Sequence, residues 1–434
     1  MPLIKPFKGL RYDKKRVGSI SRVVTPPYDV ISPAGQTRYY RLHPHNFVRV
    51  VFGKGRSSDT PERNRYSRAR QTMEDWIRRG VLKFDPEPSV YPYLQEYTLG
   101  GRRRERWGVV ALVRLDSPKI YPHEETREGP KLDRYRLLET VQASLSPIFG
   151  LIPDSDARYQ RSIRKYCRTH RPAAVARIGG VRHTLWRNSD PGWHEQLKKQ
   201  LRSKELVIAD GHHRFESALA YRNAQRKRDL HFSADSPYNY AMFYLASAGS
   251  EDPGLLPTHR LIKQFPRQAL KKLEAITQLS SLPSRSLKGK LQRGSDSRFR
   301  GNDTQMLENQ LRRLGARGKI GLGLCTGNGG GRTYLLKAPA RSAYRLDVEW
   351  LHQEILPHSV GPDAEVSYTQ DLLFARGELR RKKAQALFLV RPPPLKEVFS
   401  WARASLRMPG KTTYFYPKPL AGLVEYKFEK QKGV

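Results

Sequence analysis

An aliphatic run that ends in Asp-Gly-His-His-Arg constrains the fold of this chain more than any other segment. Residues 206–210 read Leu-Val-Ile-Ala-Asp, which is typical of a buried strand, and from Phe215 apolar side chains recur at helical spacing. Gly211 therefore lies at a strand-to-helix junction, where a residue without a Cβ lets the backbone turn sharply. The first amides of a helix lack intrahelical partners and carry the positive end of its dipole, so an anion is their natural ligand.

The side chains around Gly211 supply the chemistry that an anion site needs. Arg214 carries a planar fork of donors suited to phosphate or carboxylate oxygens, while His212 and His213 titrate near neutral pH. Asp210 could cap the helix, orient a histidine or hold a divalent cation. The alternative interpretation is a plain helix cap, two satisfied histidines and a local ion pair. Five functional residues in a row favour a site, so we predict that the segment from Gly211 to Arg214 binds phosphate.

Four other segments carry less specific candidates, and each also has a structural interpretation as a turn or a mixed-charge loop. Asp29, Glu124 and Asp133 are candidates for activating a nucleophile, and a His-Glu pair beside a lysine could transfer protons or hold a metal. The secondary candidates are Tyr28, His123, Lys131, Asp133, His259, Arg260 and Lys411. The glycine-rich segment 326–334 lacks the Gly-Lys-Ser/Thr ending of a phosphate loop, so it predicts a hairpin.

The charge of the chain is strongly positive. Its 80 Lys and Arg against 41 Asp and Glu give a formal net charge of +39, which should attract polyanions and anionic substrates. The basic runs are scattered, at residues 102–106, 222–228 and 378–383, and no nucleic-acid reader module is recognisable. We therefore predict an anionic small molecule or a nucleotide as partner, with nucleic acid as an alternative.

Cysteine usage and hydropathy bear on the compartment. Cys167 and Cys325 are far apart and form no CxxC pair, which fits a reducing compartment and disfavours a disulfide framework or a structural zinc site. The amino-terminal sequence has no apolar signal core, and no apolar stretch reaches the roughly 18 residues of a membrane span. These features predict a cytoplasmic protein without a membrane partner.

The arrangement of patterns along the chain predicts an α+β fold with more than one domain. At 434 residues the chain is long for a single core. β-branched runs at 47–53 and 108–115 predict strands, residues 63–82 have helical spacing that ends at Gly80, and Gly100-Gly101 predicts a hairpin turn. The predicted division is an N-terminal α+β region (1–155), a central region with the ADGHHR segment (156–283), a basic inserted loop (284–304) and a C-terminal α+β region (305–434).

Several segments together resemble a known family. In chain order these are IKPFKGLRYD, TPPYDVIS, HPHNFVRV, PHEET with GPKLDR, SPIFGL, IADGHHRFESALAYR, LLPTHRLIK and MPGKTTYFYPK. They are similar to segments of an uncharacterised prokaryotic family, domain-of-unknown-function family 1015. The resemblance covers the chain except residues 284–304, and ADGHHR is its most specific mark. The family has no settled activity, so the resemblance implies membership and no chemistry.

A more distant resemblance implies chemistry. A strand followed by Gly-x-His/Arg-Arg at a helix start is similar to the phosphate-binding signature of the ParB/sulfiredoxin fold, which includes partition proteins, a sulfinic-acid reductase and a free-serine kinase. It implies a ParB/sulfiredoxin-like core in which Gly211, His212, His213 and Arg214 hold a phosphate. His213 stands at the position of the reductase's reactive cysteine, so that chemistry is not expected.

The resemblance also implies roles for the candidate residues. ATP or ADP with Mg²⁺ would be the cofactor of an enzyme that transfers or hydrolyses a phosphoryl group on a small molecule, such as serine or another hydroxy acid. Arg214 would stabilise developing charge, His212 or His213 would act as general acid or base, and Asp210 would orient a histidine or hold Mg²⁺. Asp29, Glu124 or Asp133 would activate the nucleophile. The alternative is a non-catalytic nucleic-acid-binding or regulatory protein of ParB-like type.

Overall fold

The chain forms two compact units. The computed structural model describes residues 4–249, 254–282, 301–327, 332–340 and 342–428. One unit comprises residues 1–254 with 415–434, and the other comprises residues 255–414. This grouping differs from the sequence-based division, because strands from both sides of residue 155 pair in one sheet. Most of the predicted basic loop, residues 284–300, and the centre of the predicted glycine-rich hairpin, residues 328–331, lie outside the described residues.

The helices confirm most of the segments with helical periodicity; within the predicted segment 63–82 the helix spans Arg65–Arg78. Asn64 begins α5 with a capping box: its side chain accepts from the amides of Tyr66 and Ser67, and the Ser67 hydroxyl accepts from the Asn64 amide. The helices are α1 (Lys14–Val17), α2 (Ile20–Val23), α3 (Pro33–Leu42), α4 (Val48–Val51), α5 (Arg65–Arg78), α6 (Glu128–Val141), α7 (Arg158–Thr169), α8 (Pro191–Leu201), α9 (His212–Arg228), α10 (Ala269–Ile276), α11 (Gly301–Ala316), α12 (Asp347–Trp350, continued by a π-helical stretch, Leu351–Val360), α13 (Leu372–Arg380) and α14 (Leu395–Arg403), with 3₁₀ turns at Tyr28–Val30 and Pro237–Asn239.

The strands confirm the predicted hairpin at Gly100-Gly101, which joins two long strands. They are β1 (Ile4–Lys5), β2 (Leu10–Tyr12), β3 (Leu82–Phe84), β4 (Tyr91–Leu99), β5 (Arg102–Arg114), β6 (Ile120–Tyr121), β7 (Ala143–Ser144), β8 (Ile148–Pro153), β9 (Ala174–Ile178), β10 (Val181–Leu185), β11 (Leu206–Asp210), β12 (Tyr240–Ala248), β13 (Leu255–Leu256), β14 (His259–Ile262), β15 (Gln278–Ser281), β16 (Gly321–Thr326), β17 (Thr333–Lys337), β18 (Val366–Thr369), β19 (Ala386–Leu389), β20 (Tyr414–Phe415) and β21 (Tyr426–Lys427).

A large mixed sheet organises the first unit. Its strand order is β6-β11-β8-β12-β5-β4-β10-β9, and β1 pairs with β5. β12 runs parallel to β8 and antiparallel to β5, while β11 runs antiparallel to β8. Residues 206–209 of β11 are buried, as expected for a strand of a covered sheet. Helices α7, α8 and α9 contribute Ile163, Leu197 and Phe215 to the same core. The fold is therefore mixed α+β, as predicted.

The second unit contains a separate antiparallel sheet with the order β15-β17-β16-β19-β14-β18. Its core packs Leu322 and Leu324 of β16 and Phe388 of β19 against Trp350. None of the helices in the described ranges has both the length and the apolar character that a membrane crossing requires.

The prediction of a strand at residues 47–53 was wrong. Val48–Val51 form the short helix α4, in which Val48, Val50 and Val51 are all buried. The Asn46 side chain accepts a hydrogen bond from the Val48 amide (3.0 Å) and donates one to the Arg22 carbonyl (2.7 Å), which fixes the start of the turn. Three valines in a run this short fit a strand as well as a single helical turn, so the valine-rich composition misled the prediction.

Candidate functional site

The predicted strand-to-helix junction is present at Gly211. β11 ends at Asp210, and α9 begins at His212 with Gly211 at its N-cap in the left-handed region (φ 93°). A Cβ at this position would lie 2.9 Å from the Arg214 guanidinium, so the arginine folds back closely over the glycine. Both the backbone angle and the close approach require a residue without a side chain.

Arg214 is braced by protein acceptors on both terminal nitrogens. Nη1 donates to the Ser146 hydroxyl (3.1 Å) and to the Pro147 carbonyl (2.5 Å), while Nη2 donates to Oδ2 of Asp210 (2.5 Å). Its Nε is buried and has no hydrogen-bond partner among the described residues, and the side chain is 10% exposed. Asp210 therefore orients Arg214 and does not cap the helix. The binding of phosphate by Arg214 stays a prediction.

Lys418 joins the site from the carboxy-terminal part of the chain. Its ammonium forms ion pairs with Oδ1 of Asp210 (2.5 Å) and with Oδ2 of Asp29. Lys418 is 7% exposed, and Asp210 and Asp29 are 15% and 20% exposed. Lys418 ends the segment MPGKTTYFYPK quoted above, but it is not among the site residues predicted from the sequence, because its partner Asp29 stands 389 residues away. The structure thus places four charged side chains one after another in space, Asp29, Lys418, Asp210 and Arg214, which we call the bridged cluster.

Buried polar side chains of the main sheet hold the segment that carries Lys418. Arg106 is 3% exposed and donates from Nη1 to the Pro417 carbonyl (2.7 Å) and from Nη2 to the Tyr416 carbonyl (2.6 Å). Gln95 donates to the Lys418 carbonyl (3.1 Å) and accepts from Arg106 (3.1 Å). These bonds fix the backbone of the lysine and of the two residues before it, so its ammonium has a defined position.

A second charged group surrounds Tyr28, the neighbour of Asp29. The Arg134 guanidinium lies 3.9 Å from the centre of the Tyr28 ring, and burial raises the pKa of Tyr28 to about 12. Asp133 bonds Arg134 Nε (2.9 Å), Arg65 Nη2 (2.5 Å) and the Tyr66 hydroxyl (2.7 Å). Burial alone would raise the pKa of Asp133, but Arg134 and these donors lower it below its usual value. Asp133 therefore has structural partners of its own.

The prediction of a loop over residues 121–134 was wrong for residues 128–134, which form the first turns of α6. The loop that precedes α6 contacts the first turn of α9. The His212 ring is 4.8 Å from the His123 ring, and its Nε2 accepts from the His123 amide (3.4 Å). The His213 Nε2 accepts from the Arg127 amide (3.0 Å). Since a backbone N–H can only donate, Nε2 of both rings is the acceptor.

Polar residues extend this contact with α9 from the loop to Lys131 of α6. The Ser217 hydroxyl donates to the Lys131 carbonyl (2.8 Å), and the Lys131 ammonium pairs with Glu128 (2.5 Å). Glu124 is half-buried within the same loop. The structure thus brings together the segments that carry Asp29, Glu124 and Asp210.

Three secondary candidates belong to the second unit. Arg260 is fully buried and donates to the Lys411 carbonyl (3.2 Å) and to Nε2 of His352 (3.1 Å). Burial and the neighbouring Arg260 lower the pKa of His259 to about 4. These contacts link His259, Arg260 and Lys411 to one another.

The space beside Arg214 is small. A cavity of about 50 Å³ is lined by Arg214, Arg134, Ser146 and apolar side chains such as Leu137 and Ile148. This volume suits ordered water or a group of a few atoms. Within the described ranges, no three side chains of His, Cys, Asp or Glu gather to hold a metal ion.

Comparison with known proteins identifies a matching family model and several solved structures of low similarity. The family model described as "Protein of unknown function (DUF1015)" matches residues 4–348. No curated protein matches the sequence.

Among solved structures, "Free serine kinase in complex with AMP" is 12% identical, with 70% of this chain and 86% of that chain covered and a TM-score of 0.35. "SbnI with C-terminal truncation from Staphylococcus aureus" is 11% identical, with coverages of 75% and 90% and a TM-score of 0.37. A conserved hypothetical protein from Pyrococcus furiosus is 12% identical, with coverages of 70% and 89% and a TM-score of 0.35.

Proposed function

The chain belongs to the family described as protein of unknown function, DUF1015, and on that premise we propose a function from its own residues. We propose an enzyme that binds a nucleotide or another phosphorylated small molecule and transfers or hydrolyses a phosphoryl group. The observation that supports this most directly is the bridge that Lys418 forms between Asp29 and Asp210, with Arg214 on the other side of Asp210.

The energetics of the bridged cluster favour a functional role. Removing a charge from water costs several kcal/mol even after relaxation, and attraction between buried partners offsets this only when the geometry is good. Apolar residues of similar volume often stabilise a fold equally well, so buried ion pairs contribute little net stability. Four charges brought together from distant segments at a strand-to-helix junction are typical of a site.

The chemistry of phosphoryl transfer assigns a role to each member of the bridged cluster. Lys418 and Arg214 are the cations that would stabilise charge on the transferred phosphoryl oxygens. Asp29 is the most exposed of the carboxylates and would accept the proton of an attacking hydroxyl. Asp210, which contacts both cations, would hold them in position.

His212 and His213 are proposed to act as general acid or base, and they also position the loop that carries Glu124. Nε2 of His212 and Nε2 of His213 each accept from a backbone amide of the loop that carries Glu124. These bonds hold that loop against the start of α9, which supports Glu124 as a second candidate for activating the nucleophile.

Mg²⁺ with ATP or ADP, which the sequence resemblance implies, fits the donor set in part. One oxygen each of Asp29 and Asp210 lies within hydrogen-bond reach of the same ammonium, so these two oxygens are no more than about 5 Å apart. Mg²⁺ in nucleotide sites takes one or two carboxylates and completes its shell with phosphates and water. Asp29 and Asp210 are therefore the residues that would hold it, and the ion would neutralise phosphate charge when bound.

Ligand binding and product formation test this proposal. Titration calorimetry with ATP, ADP and phosphoserine, each with and without Mg²⁺, should identify a ligand of the parent protein. Phosphorus NMR of mixtures with serine should then detect transfer or hydrolysis. We expect Lys418→Met to weaken binding of the phosphorylated ligand at least tenfold. We expect Asp29→Asn to lower turnover by about 10²–10⁴-fold while ligand affinity changes much less.

Lys5→Met is the matched control, because Lys5 also pairs with an aspartate, Asp235 (2.8 Å), but at an exposed position. It should bind and turn over ligand as the parent does. A parent protein that none of these ligands binds, or Lys418→Met and Lys5→Met variants that bind equally, would refute the proposed site.

A further inference from the structure

A second group of charges in the first unit lines a groove at the edge of the main sheet. The groove has a volume of about 450 Å³. Its charged lining, which we call the arginine groove, consists of five arginines and two glutamates: Arg103, Arg104, Arg164, Arg177, Arg182, Glu96 and Glu105. None of these residues belongs to the bridged cluster, so a function of the arginine groove does not depend on the proposed phosphoryl-transfer site.

Strand register explains why these side chains share one face. Arg177 is paired with Arg182, Arg182 with Glu96, and Glu96 with Glu105, so the four residues form one row across β9, β10, β4 and β5. Arg103 stands two residues before Glu105 on β5 and therefore points to the same side of the sheet. The row is fixed by the pairing of the sheet and does not depend on flexible loops.

The carboxylates of the groove are already neutralised. Glu96 pairs with Arg182 (3.3 Å) and Glu105 pairs with Arg164 (2.9 Å). In the part of the chain that the structure describes, Arg103 and Arg177 have no carboxylate partner, and both are exposed. The groove therefore keeps an excess positive charge on exposed guanidinium groups.

Helix α7 extends this positive surface. Arg164 lies 5.4 Å from the centre of the Trp107 ring, which holds its side chain against the sheet. Arg161 and Arg168 are exposed, and they flank Arg164 on the helix surface because they stand three residues before and four residues after it. The buried side of the same helix carries Ile163.

We propose that the arginine groove binds the phosphodiester backbone of a nucleic acid without reading its bases. Guanidinium forks match phosphate oxygens, and a row of them follows a chain of phosphates better than it fits one small anion. The aromatic side chains beside the groove, Tyr97 and Trp107, are 5% and 9% exposed, so they offer no platform for base stacking. A net charge of +39 adds a field that attracts such a polyanion.

Fluorescence anisotropy with a labelled DNA duplex of about two helical turns and arbitrary sequence tests the proposal. The dissociation constant is measured from about 50 to 200 mM NaCl for the full chain and for the double variant Arg103→Gln/Arg177→Gln. Each lost phosphate contact lowers the slope of log affinity against log salt by about 0.9 on duplex DNA, so we expect a slope smaller by about 2. Affinity at the middle of this salt range should fall at least tenfold, equally for two unrelated sequences.

The matched control is Arg38→Gln/Arg41→Gln on α3, which removes the same charge from two other exposed arginines. It should leave slope and affinity close to those of the parent. The proposal is overturned if the parent binds no duplex at the lowest salt, if both double variants weaken binding equally, or if the parent binds only vesicles of anionic lipid. Lys418→Met should bind DNA as the parent does, which separates this inference from the phosphoryl-transfer proposal.

Discussion

Replacement of Lys418 by methionine tests the bridged cluster most directly. Methionine has about the length and volume of the lysine stem, so the change removes the charge with little change in packing. In the variant, Asp29 and Asp210 lose the ammonium that lies between them, while Asp210 keeps Arg214. In the folded variant, the negative charges of Asp29 and Asp210 are therefore balanced by fewer neighbouring positive charges than in the parent.

Burial sets the magnitude of this effect. Removing one partner of a buried ion pair costs about 3–5 kcal/mol, whereas an exposed pair is worth about 0–1 kcal/mol. Lys418 is 7% exposed and its two partners are 15% and 20% exposed, so the cluster lies near the buried limit. We expect Lys418→Met to lower the free energy of unfolding by about 2–4 kcal/mol.

Chemical denaturation of the parent, the single variants Lys418→Met and Asp29→Asn, and their double variant is the assay. Because Asp29→Asn removes one of the carboxylates that the first change leaves behind, the double variant should lose about 1–2 kcal/mol less than the sum of the singles. Lys5→Met should cost no more than about 0.5 kcal/mol. If Lys418→Met costs no more than Lys5→Met, or if the single effects add, the three side chains are not coupled and the reasoning fails.

Three other perturbations have defined outcomes. Gly211→Ala should lower the free energy of unfolding by about 2–3 kcal/mol, because φ at Gly211 is 93° and the new Cβ would lie 2.9 Å from Arg214. Gly100→Ala is the control: its Cβ would point into open space, so it should lower stability by about 1 kcal/mol, and thermal melts of the two variants compare these effects. The pKa of Asp133 is lowered in the folded state, so its contribution to the free energy of unfolding is present above the unfolded pKa of about 3.9 and is lost as pH falls through the folded pKa. Over that pH range, urea denaturation should show a smaller fall in stability for Asp133→Asn than for the parent. Burial raises the pKa of Cys167 to about 12, so iodoacetamide at mildly alkaline pH should alkylate it only in urea, as mass spectrometry of its peptide would show.

The bridged cluster and the arginine groove differ in the salt dependence that they predict. The first concerns one small phosphorylated ligand, for which affinity should change mildly with salt, and the second concerns a polyanion, for which it should change steeply. A protein that shows both behaviours would combine two sites within its first unit. A protein that shows only the second would match the nucleic-acid-binding alternative from the sequence.

Local patterns in the sequence determined much of the secondary structure. The helix at 65–78, the hairpin at Gly100-Gly101 and the junction at Gly211 were predicted, because capping, turn geometry and periodicity act over only a few residues. The same rules failed at Val48–Val51, because three buried valines in a four-residue turn fit a strand as well as a helix.

Only the tertiary structure decided which charges meet. Lys418 reaches Asp29 across 389 residues because Arg106 and Gln95, on two strands of the main sheet, hold the backbone around it. The ion pair between Arg214 and Asp210, four residues apart, is the local pair that the sequence offered as the alternative, whereas only the tertiary structure brought the Pro147 carbonyl to Arg214. Hydrogen bonds and ion pairs act over a few ångströms in space, whatever the separation along the chain, so no local pattern could reveal the partners that are distant in sequence.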